Sequence, residues 1–368
     1  MTDPLLELNY KPYLPPKTDY GIGLIGTGGI VQYAALPSYR KARFNVVAAF
    51  DLQRPTAEIV AGEFDIPHVY DTLEELIDDP AVDIVEISIP PQHQLSVAQK
   101  CIEAGKHLLC QKPLALDLGE AAEIVKLGEA GGVKVAVNQQ LRWGQGIRAA
   151  KNLIQKGWIG QVTDASIEVS VNTPWNMWDW LVNAPRLEIQ FHSIHYIDAM
   201  RSVLGDPVWI TSRHARNPLQ GDIIGETKTI TVMDYEDDLQ VLIADNHFNH
   251  SDEYFATFRF IGTEGHISGT LGAMYNYPHG QEDTLYWSSK HYYPDQKFEA
   301  KLEGKWIPDA FIGPTASLMQ AIQEDSDPET NARDNLGTLR VVEAAYLSAA
   351  ENRSIRFDEV LAIPLSEQ

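Results

Sequence analysis

The chain has few cysteines, no long apolar runs and no basic clusters. Its 368 residues include two cysteines, Cys101 and Cys110, which excludes a disulfide framework and favours a reducing compartment. No apolar run reaches 18 residues and no secretory signal pattern opens the chain, so we expect a cytoplasmic protein without membrane contact. Acidic residues outnumber basic ones by 51 to 29, giving a net charge of −22, and this disfavours a nucleic-acid partner.

Length and composition indicate an ordinary globular protein of two domains. The chain is 44% apolar and 22% charged, and its length exceeds that of a typical single domain. We expect an N-terminal arm over residues 1–19, a dinucleotide-binding domain over 20–140, and a substrate and oligomerisation domain over 141–368.

A glycine cluster between two apolar runs predicts a dinucleotide-binding unit. The first run ends at Gly26, and the second ends about 25 residues later in Asp51. Gly26 makes the tight turn, Gly28 admits a pyrophosphate close to the backbone, and Asp51 can bind the adenosine ribose hydroxyls. Asp51 favours NAD because it repels a 2′-phosphate, whereas the nearby Arg54 leaves NADP open. The cofactor-binding residues predicted here are Gly26, Thr27, Gly28, Gly29, Ile30, Asp51 and Arg54.

The order of apolar runs predicts an α/β fold in two parts. Strand patterns at 21–25, 45–50, 82–89, 107–110 and 133–137 alternate with helical patterns at 55–64, 73–77, 94–104 and 118–129. This alternation is typical of a doubly wound parallel sheet of the Rossmann type. After residue 160, alternating or β-branched segments at 164–171, 208–213, 227–234, 239–246, 255–261 and 266–271 favour an open, mainly antiparallel sheet. Helices are expected at 187–204, 315–322 and 336–351, which makes the second part an α+β domain.

Unusual polar groups follow three of the predicted parallel strands. Ligands of such sheets bind beyond the carboxyl ends of the strands, so these groups are candidate cofactor residues. Lys112 precedes Pro113, which restricts Lys112 to extended conformations and gives its side chain a fixed direction. The candidates are Ile89, Pro90 and His93 after one strand, Gln111 and Lys112 after the next, and Asn138 and Arg142 after the last.

One predicted helix carries a dense set of polar groups. Glu188, His192 and His195 are spaced i, i+4 and i+7, which places them on one helical face. Histidine titrates near neutrality and suits alcohol deprotonation, so the face can be a proton-transfer site. Two histidines with a carboxylate also fit a metal site, and a buried polar stripe is the third possibility.

An aromatic loop precedes this helix. Trp175, Trp178 and Trp180 lie within six residues, followed by Arg186. The rings either fill a core or an interface, or they stack on the C–H face of a sugar while Arg186 binds its hydroxyl groups. The second possibility predicts Trp175, Trp178 and Arg186 as substrate-binding residues.

Several local patterns together resemble the glucose–fructose oxidoreductase and inositol dehydrogenase (Gfo/Idh/MocA) family from residue 20 onward. They are the Gly26-x-Gly28 turn, Ile89-Pro-Pro-x-His93, Gln111-Lys-Pro113, Ile194-His195-Tyr-Ile-Asp198, Ile261-Gly-Thr-Glu-Gly265 and Thr338-Leu-Arg-Val-Val-Glu-Ala-Ala-Tyr346. The resemblance implies that Lys112 is the family lysine and His195 the catalytic histidine. Gln111 replaces the usual Glu, and Phe191 replaces the family Asp four residues before the histidine. His192 is the nearest polar substitute.

The resemblance further implies an NAD-dependent dehydrogenase that oxidises a hydroxyl group of a sugar or cyclitol, in a homodimer or homotetramer assembled through the C-terminal sheet. We expect catalysis by Lys112, His195 and His192, substrate contacts from the same three residues, and no metal requirement. Two alternatives remain: a redox-neutral NAD-dependent enzyme, for example one that cleaves glycosides through a transient ketone, and a non-enzymatic NAD-binding regulator.

Overall fold

The structure, a computed structural model, describes residues 6–175, 179–275, 277 and 279–368. The chain divides into two compact units, and each consists of discontinuous segments. The parallel-sheet unit comprises Pro12–Gln140, Pro308–Leu339 and Ala362–Gln368. The mixed-sheet unit comprises Met1–Lys11, Leu141–Ile307 and Arg340–Leu361.

The strands of the described residues are, in chain order, β1 (Gly21–Ile25), β2 (Asn45–Phe50), β3 (His68–Val69), β4 (Ile84–Ile87), β5 (His107–Cys110), β6 (Val135–Val137), β7 (Val162–Ser170), β8 (Trp209–Ala215), β9 (Lys228–Asp234), β10 (Gln240–Asn246), β11 (Phe255–Gly262), β12 (Gly265–Thr270), β13 (Thr284–Ser289), β14 (Tyr293–Lys301) and β15 (Ile355–Arg356).

The helices of the same residues are α1 (Leu36–Ala42), α2 (Arg54–Phe64), α3 (Leu73–Asp78), α4 (Gln94–Glu103), α5 (Leu118–Gly131), α6 (Gln145–Gln155), α7 (Asp179–Val182), α8 (Ile194–Leu204), α9 (Ile312–Glu324) and α10 (Ala332–Glu351). Two π-helical turns, Val31–Ala35 and Ile189–Ser193, lead directly into α1 and α8.

The parallel-sheet unit is a six-stranded sheet in the order β3-β2-β1-β4-β5-β6, with every pair parallel. This order is that of the doubly wound dinucleotide-binding fold. Its central strands are buried along their whole length, because helices cover both faces of such sheets. Glu86 is the polar exception: it accepts a hydrogen bond from the Tyr39 hydroxyl at 2.7 Å, and burial raises the pKa of its carboxyl group.

The mixed-sheet unit is a nine-stranded sheet in the order β14-β13-β12-β11-β7-β10-β9-β8-β15. Its pairs are antiparallel except for β7 and β10, which run parallel at its centre. The predicted fold class, a doubly wound parallel sheet followed by an α+β part with a mainly antiparallel sheet, is confirmed.

Five elements of the mixed-sheet unit escaped the sequence-based prediction. Strands β13, β14 and β15 and helices α6 and α7 have no counterpart among the predicted segments. Most side chains of β14 are exposed, so the strand lacks the alternation of apolar and polar residues that marks a half-buried strand. The strand therefore owes its conformation to pairing with β13 rather than to its own pattern.

The unit boundaries differ from the predicted domain boundaries. Residues 308–339, predicted in the second domain, pack in the parallel-sheet unit, where the N–H of Val137 donates to the carbonyl of Thr330 at 2.8 Å. Part of the predicted arm also belongs to a folded unit: the Asn152 amide donates to the carbonyls of Leu8 and Asn9 at 3.0 and 2.7 Å. Among the described residues, no helix combines the length and apolar character that a bilayer crossing requires.

Candidate dinucleotide and proton-transfer sites

The glycine turn after β1 has the geometry that the sequence predicts. Gly26 has φ +86°, and a Cβ at this position would lie 2.4 Å from the carbonyl oxygen of Ser88, so only glycine fits. A Cβ on Gly28 would meet no atom within 4 Å. A helical segment begins immediately after the turn, with the N–H of Val31 donating to the carbonyl of Gly28 at 3.1 Å. The turn therefore presents an open backbone surface at a helix N-terminus, a geometry that suits a pyrophosphate.

Asp51, which follows β2, closes this turn. Its Oδ2 accepts hydrogen bonds from the backbone N–H and the hydroxyl group of Thr27 at 2.8 and 3.1 Å, and its Oδ1 accepts from the N–H of Gln53 at 2.9 Å. Each carboxylate oxygen can accept more than one hydrogen bond, so these contacts fix the orientation of Asp51 and leave it able to bind ribose hydroxyl groups.

The guanidinium of Arg54 is engaged by two carboxylates. It donates to Glu58 at 2.8 Å and also contacts Asp71. A 2′-phosphate would have to displace these partners, so the structure does not support Arg54 as a preformed NADP contact.

The predicted residues after β4 and β5 lie at the carboxyl ends of the parallel strands, as the glycine turn does. Ile89 packs beside Gly26, since a Cβ added to that glycine would lie 3.0 Å from Cγ2 of Ile89. Pro90 and His93 open the next helix, with His93 exposed. Gln111 accepts a hydrogen bond through Oε1 from the N–H of Lys112 at 3.0 Å. The structure therefore brings these residues together at the carboxyl ends of the parallel strands, and their contact with a cofactor stays a prediction.

Gln94 is a supporting residue that the sequence did not reveal. Its fully buried amide donates to the carbonyl groups of Gln111 and Pro113 at 2.9 and 2.8 Å. These two bonds hold the backbone on either side of Lys112. The backbone of Lys112 is thus held by a neighbouring helix and restricted by the following proline.

Two amides at this edge fit a polar ligand. Among the described residues, neither polar atom of the Asn138 side chain has a hydrogen-bond partner, nor does the NH₂ group of Gln111. Asn138 is 1% exposed. Burial of an amide without a hydrogen bond costs about 1–3 kcal/mol in proteins, so such groups bind ordered water or a ligand. The Gly28 surface and these amides together fit a dinucleotide.

Arg142, predicted as a cofactor residue, has a different role in the structure. It belongs to the mixed-sheet unit, where its Nε and Nη2 atoms donate to the two carboxylate oxygens of Asp198 at 2.6 and 2.7 Å. Both side chains are at least 95% buried. The bidentate pair links α8 to the segment that precedes α6. The structure therefore does not support the assignment of Arg142 to cofactor binding.

The three polar residues predicted on one helical face lie in two different environments: Glu188 and His192 are adjacent, and His195 lies apart from them. Nδ1 of His192 lies 3.4 Å from Oε1 of Glu188, whereas the His195 ring packs edge-on against Trp306 with centroids 5.3 Å apart. A π-helical turn over Ile189–Ser193 widens the spacing between these positions, so the 3.6-residue period does not apply across it.

His247 takes the place that the sequence suggested for His195. Its Nδ1 lies 3.8 Å from Oε1 of Glu188, and its ring centroid lies 4.2 Å from that of His192. His247 directly follows β10, and β10 pairs parallel with β7, so the carboxyl ends of the two strands meet. A parallel pair inside a mainly antiparallel sheet is not visible in the sequence pattern. The short tract Asn246-His-Phe-Asn-His250 was the available signal.

A buried carboxyl group, that of Asp245, contacts the helix that carries His192 and His195. Asp245 accepts hydrogen bonds from the hydroxyl groups of Ser193, at 2.5 Å, and Thr229. Burial raises the pKa of Asp245 to about 7, and the two hydroxyl donors partly oppose that rise. Burial also raises the pKa of the Tyr196 hydroxyl well above its usual value, so Tyr196 remains protonated near neutral pH.

The aromatic loop and Arg186 are largely committed to packing. Trp175 is 4% exposed and belongs to an apolar cluster that includes Phe191. Trp178 lies outside the described residues, and Trp180 is 41% exposed. Arg186 pairs with Glu343 at 2.5 Å and stacks on the Tyr346 ring. Trp175 therefore fills a core, and the structure does not support it as an open sugar-stacking surface.

Two family models match the chain. One, described as the Gfo/Idh/MocA oxidoreductase family with an NAD-binding Rossmann fold, covers residues 20–139. The other, the C-terminal domain of the same family, covers residues 147–268. The predicted dinucleotide-binding domain is thereby confirmed.

Individual proteins resemble the chain to different extents. An uncharacterized protein of Saccharomyces cerevisiae is 36% identical over 37% of this chain, and the chain spans only 40% of that protein. D-Apiose dehydrogenase of Paraburkholderia graminis is 24% identical over 86% of this chain and 84% of its own length. The crystal structure of an oxidoreductase from Agrobacterium radiobacter, in complex with NAD+, L-tartaric acid and magnesium, has a TM-score of 0.82. It is 22% identical and covers 94% of this chain and 100% of its own, so it shows a shared fold.

Proposed function

The chain belongs to the Gfo/Idh/MocA oxidoreductases, and from this premise we propose that it is an NAD-dependent dehydrogenase of a secondary alcohol or lactol in a carbohydrate. The observation that carries the proposal is the hydrogen bonding of Asp51 to Thr27. It joins the glycine turn to the end of β2 and leaves a carboxylate where the adenosine ribose of NAD binds in this fold.

Several residues of the parallel-sheet unit are suited to hold NAD. The backbone of Gly28 and Gly29 would face the pyrophosphate of NAD, and Asp51 would bind the adenosine ribose. Asn138 would form hydrogen bonds with other polar groups of the cofactor. When bound, NAD supplies the nicotinamide ring that accepts a hydride. The chain itself has to bind the alcohol, orient it and remove its hydroxyl proton.

We assign the proton transfer to His195, with His192 and Lys112 as the other candidates. Neutral imidazole is a suitable base near neutral pH. His195 is 7% exposed and packs against Trp306, so its ring is held in place. Lys112 has its backbone fixed by Gln94 and would hold the substrate hydroxyl group.

The carbohydrate class rests on the likeness to D-apiose dehydrogenase, which extends over most of both chains. Trp180, rather than Trp175, is the exposed ring available for a sugar face, and the pairing of Arg186 with Glu343 makes Arg186 a secondary candidate. We further propose a homo-oligomer assembled through the open face of the mixed sheet, where Ile230 and Phe255 are about half exposed.

A substrate screen tests the proposal. Purified protein is incubated with pentoses, hexoses, cyclitols and lactols in the presence of NAD, and NADH formation is followed by absorbance, with Lys112→Ala as the control. We expect stoichiometric NADH from at least one substrate, and a slower reaction in the control. Substrate conversion without NADH accumulation would identify a redox-neutral enzyme instead. NAD binding without conversion of any substrate would favour a regulator.

A further inference from the structure

The side chains of Glu188, His192 and His247 converge in the mixed-sheet unit. They supply a carboxylate oxygen and two imidazole nitrogens, all within 4.8 Å of one another. Glu188 and His247 are almost completely buried, and the His192 side chain is 17% exposed. We propose that these three residues bind a divalent transition-metal ion.

The separations between the donor atoms suit a single ion. Oε1 of Glu188 lies 3.4 Å from Nδ1 of His192 and 3.8 Å from Nδ1 of His247. Bonds of about 2.0–2.1 Å at tetrahedral angles place two ligand atoms about 3.4 Å apart. All three donor atoms lie within 4.8 Å of one another, so side-chain rotation on binding would have to shorten the longer separations to this value.

The second nitrogen of His247 has the partner that a metal-bound histidine needs. Nε2 of His247 lies 3.1 Å from the Tyr196 hydroxyl oxygen, and that hydroxyl in turn donates to the sulfur of Met274 at 3.6 Å. With the Tyr196 proton directed at Met274, the Tyr196 oxygen can accept from Nε2–H, and this tautomer of His247 places the lone pair on Nδ1, the atom that faces Glu188. Outer hydrogen bonds of this kind fix the tautomer and orientation of histidine ligands.

The backbone around the site is held by hydrogen bonds from neighbouring segments. The N–H of His247 donates to Thr227 at 3.0 Å, and the carbonyl oxygen of His247 accepts from the N–H of Thr173 and from the Trp175 indole at 3.0 and 3.2 Å. On the opposite side, Glu226 accepts from the N–H groups that flank Glu188, those of Leu187 and Ile189. Two separate segments thus hold the donor atoms close together before any ion binds.

The donor types indicate the class of ion. Two imidazoles and one carboxylate favour borderline ions such as Zn²⁺, Mn²⁺, Fe²⁺ or Co²⁺, whereas Mg²⁺ and Ca²⁺ prefer sites made of oxygen ligands. One carboxylate leaves a net positive charge on the bound ion and room for further ligands, such as water. The partial exposure of His192 provides a route for entry.

The proposed ion site belongs to the mixed-sheet unit, whereas the dinucleotide site belongs to the parallel-sheet unit. An ion at this site would contradict the sequence-based expectation that the protein needs no metal. The sequence offered His195 as the third ligand, but the structure directs that ring to Trp306. The Thr173 hydroxyl lies 3.1 Å from Nδ1 of His247, so the competing interpretation is a hydrogen-bonded cluster that needs no ion.

Direct metal binding distinguishes the two interpretations. The full chain, without an affinity tag and without NAD, is stripped with a chelator and titrated with Co²⁺, whose d–d absorption reports the coordination. Zn²⁺ bound after gel filtration is counted by mass spectrometry. We expect one ion per chain, and at least tenfold weaker binding by the isosteric variant Glu188→Gln and by His247→Gln. The matched control is His250→Gln, three residues along the same tract, which should bind like the unaltered protein.

A second readout guards against misfolded variants. Zn²⁺ should raise the melting temperature of the unaltered protein and of His250→Gln, but not that of Glu188→Gln. If His247→Gln does not fold, Glu188→Gln decides the question. The proposal is overturned if the stripped protein binds less than half an equivalent of Co²⁺ and Zn²⁺, or if Glu188→Gln binds as tightly as the unaltered chain. Because NAD is absent, neither result depends on the proposed dehydrogenase activity.

Discussion

Arg142 and Asp198 form a bidentate ion pair inside the mixed-sheet unit, with N–O distances of 2.6 and 2.7 Å. Asp198 lies on α8, one turn beyond His195, and Arg142 precedes α6. The pair therefore ties the helix that carries the proposed base to a distant part of the chain. Because both groups are buried, removal of one leaves the other charged group without its partner.

We predict that Arg142→Met lowers the free energy of unfolding by about 3–5 kcal/mol, the usual effect of breaking a buried pair. The double variant Arg142→Met, Asp198→Leu should recover most of this loss, because it leaves no unpaired buried charge. Urea unfolding measures both. Arg353→Met, which removes an exposed pair with Glu359, is the control and should leave the free energy of unfolding nearly unchanged. A similar loss in Arg142→Met and the control would contradict the prediction.

Asp51 should determine cofactor preference. We expect the unaltered protein to bind NAD more tightly than NADP, and Asp51→Ala to weaken NAD binding by about tenfold, since a charge-assisted hydrogen bond to a ribose contributes about 1.5 kcal/mol or more. The same substitution should reduce the difference between the affinities for NAD and NADP. Calorimetric titration of both cofactors measures this, with Arg54→Ala as the neighbouring control that leaves NAD affinity nearly unchanged. Tighter binding of NADP by the unaltered chain would show that the role of Asp51 is wrong.

Lys112→Ala should slow hydride transfer by about 10²-fold or more, the size expected for a positioned proton-transfer group. NAD affinity and the melting temperature should stay close to those of the unaltered protein, because Gln94 still holds the surrounding backbone. The measurement is the turnover number together with the dissociation constant for NAD. Gln94→Ala offers a comparison: it should disturb both quantities, since it releases the segment on both sides of the lysine. An unchanged turnover number in Lys112→Ala would show that Lys112 is not a catalytic residue.

His195→Ala should be the most damaging substitution for hydride transfer on its helix, followed by His192→Ala. Phe191→Ala should instead reduce stability, by about 3–5 kcal/mol, because Phe191 packs in the apolar cluster with Trp175 and Leu187. Single-turnover rates and urea unfolding of the three variants separate the two effects. If His195→Ala keeps most of its rate while His192→Ala loses it, the assignment of the base to His195 is wrong.

Asp283 should make the stability of the mixed-sheet unit depend on pH. Its oxygens accept from the N–H groups of Gly146 and Gly272 at 2.9 and 2.7 Å, yet burial outweighs these bonds and raises the pKa of Asp283 to about 6. A raised carboxyl pKa means that the folded state takes up a proton. The resulting stability is complete below about pH 4 and is lost as the pH rises through 6. At about 1.4 kcal/mol per pKa unit, the change is about 3 kcal/mol.

The difference in unfolding free energy between the unaltered protein and Asp283→Asn isolates this effect, because other carboxyl groups titrate in both proteins. We expect the difference to favour the unaltered protein more at pH 4 than at pH 7. A difference that stays constant across this range would show that burial does not control the protonation of Asp283.

The sequence predicts the parallel-sheet unit well because its signals are local. The strands β1, β2 and β5 lie at the predicted residues, and the Gly26 turn and Asp51 meet as expected, since each depends on a short apolar run and one turn. The structure could not be anticipated where a residue's role depends on a partner far along the chain. Arg142 is 56 positions from Asp198, and no local pattern distinguishes it from a strand-end ligand.

The polar helix shows a second kind of limit. The spacing of Glu188, His192 and His195 assumes a regular α-helix, and the π-helical turn at Ile189–Ser193 invalidates that assumption for His195 alone. His247 reaches the same group of side chains only because two strands run parallel in a mainly antiparallel sheet. Neither feature leaves a signal in the periodicity of the sequence. The helix was therefore predicted correctly, but the third candidate ligand is His247 instead of His195.

The return of residues 308–339 to the parallel-sheet unit has a consequence for biosynthesis. The hydrogen bond from Val137 to Thr330 joins β6 to a segment that the ribosome adds almost 200 residues later. The parallel-sheet unit therefore cannot reach its final form while the mixed-sheet residues between them are still being translated. A nascent chain that ends near residue 307 should expose this side of β6 and bind chaperones, and protease resistance of the first 140 residues should develop only after Thr330 has left the exit tunnel.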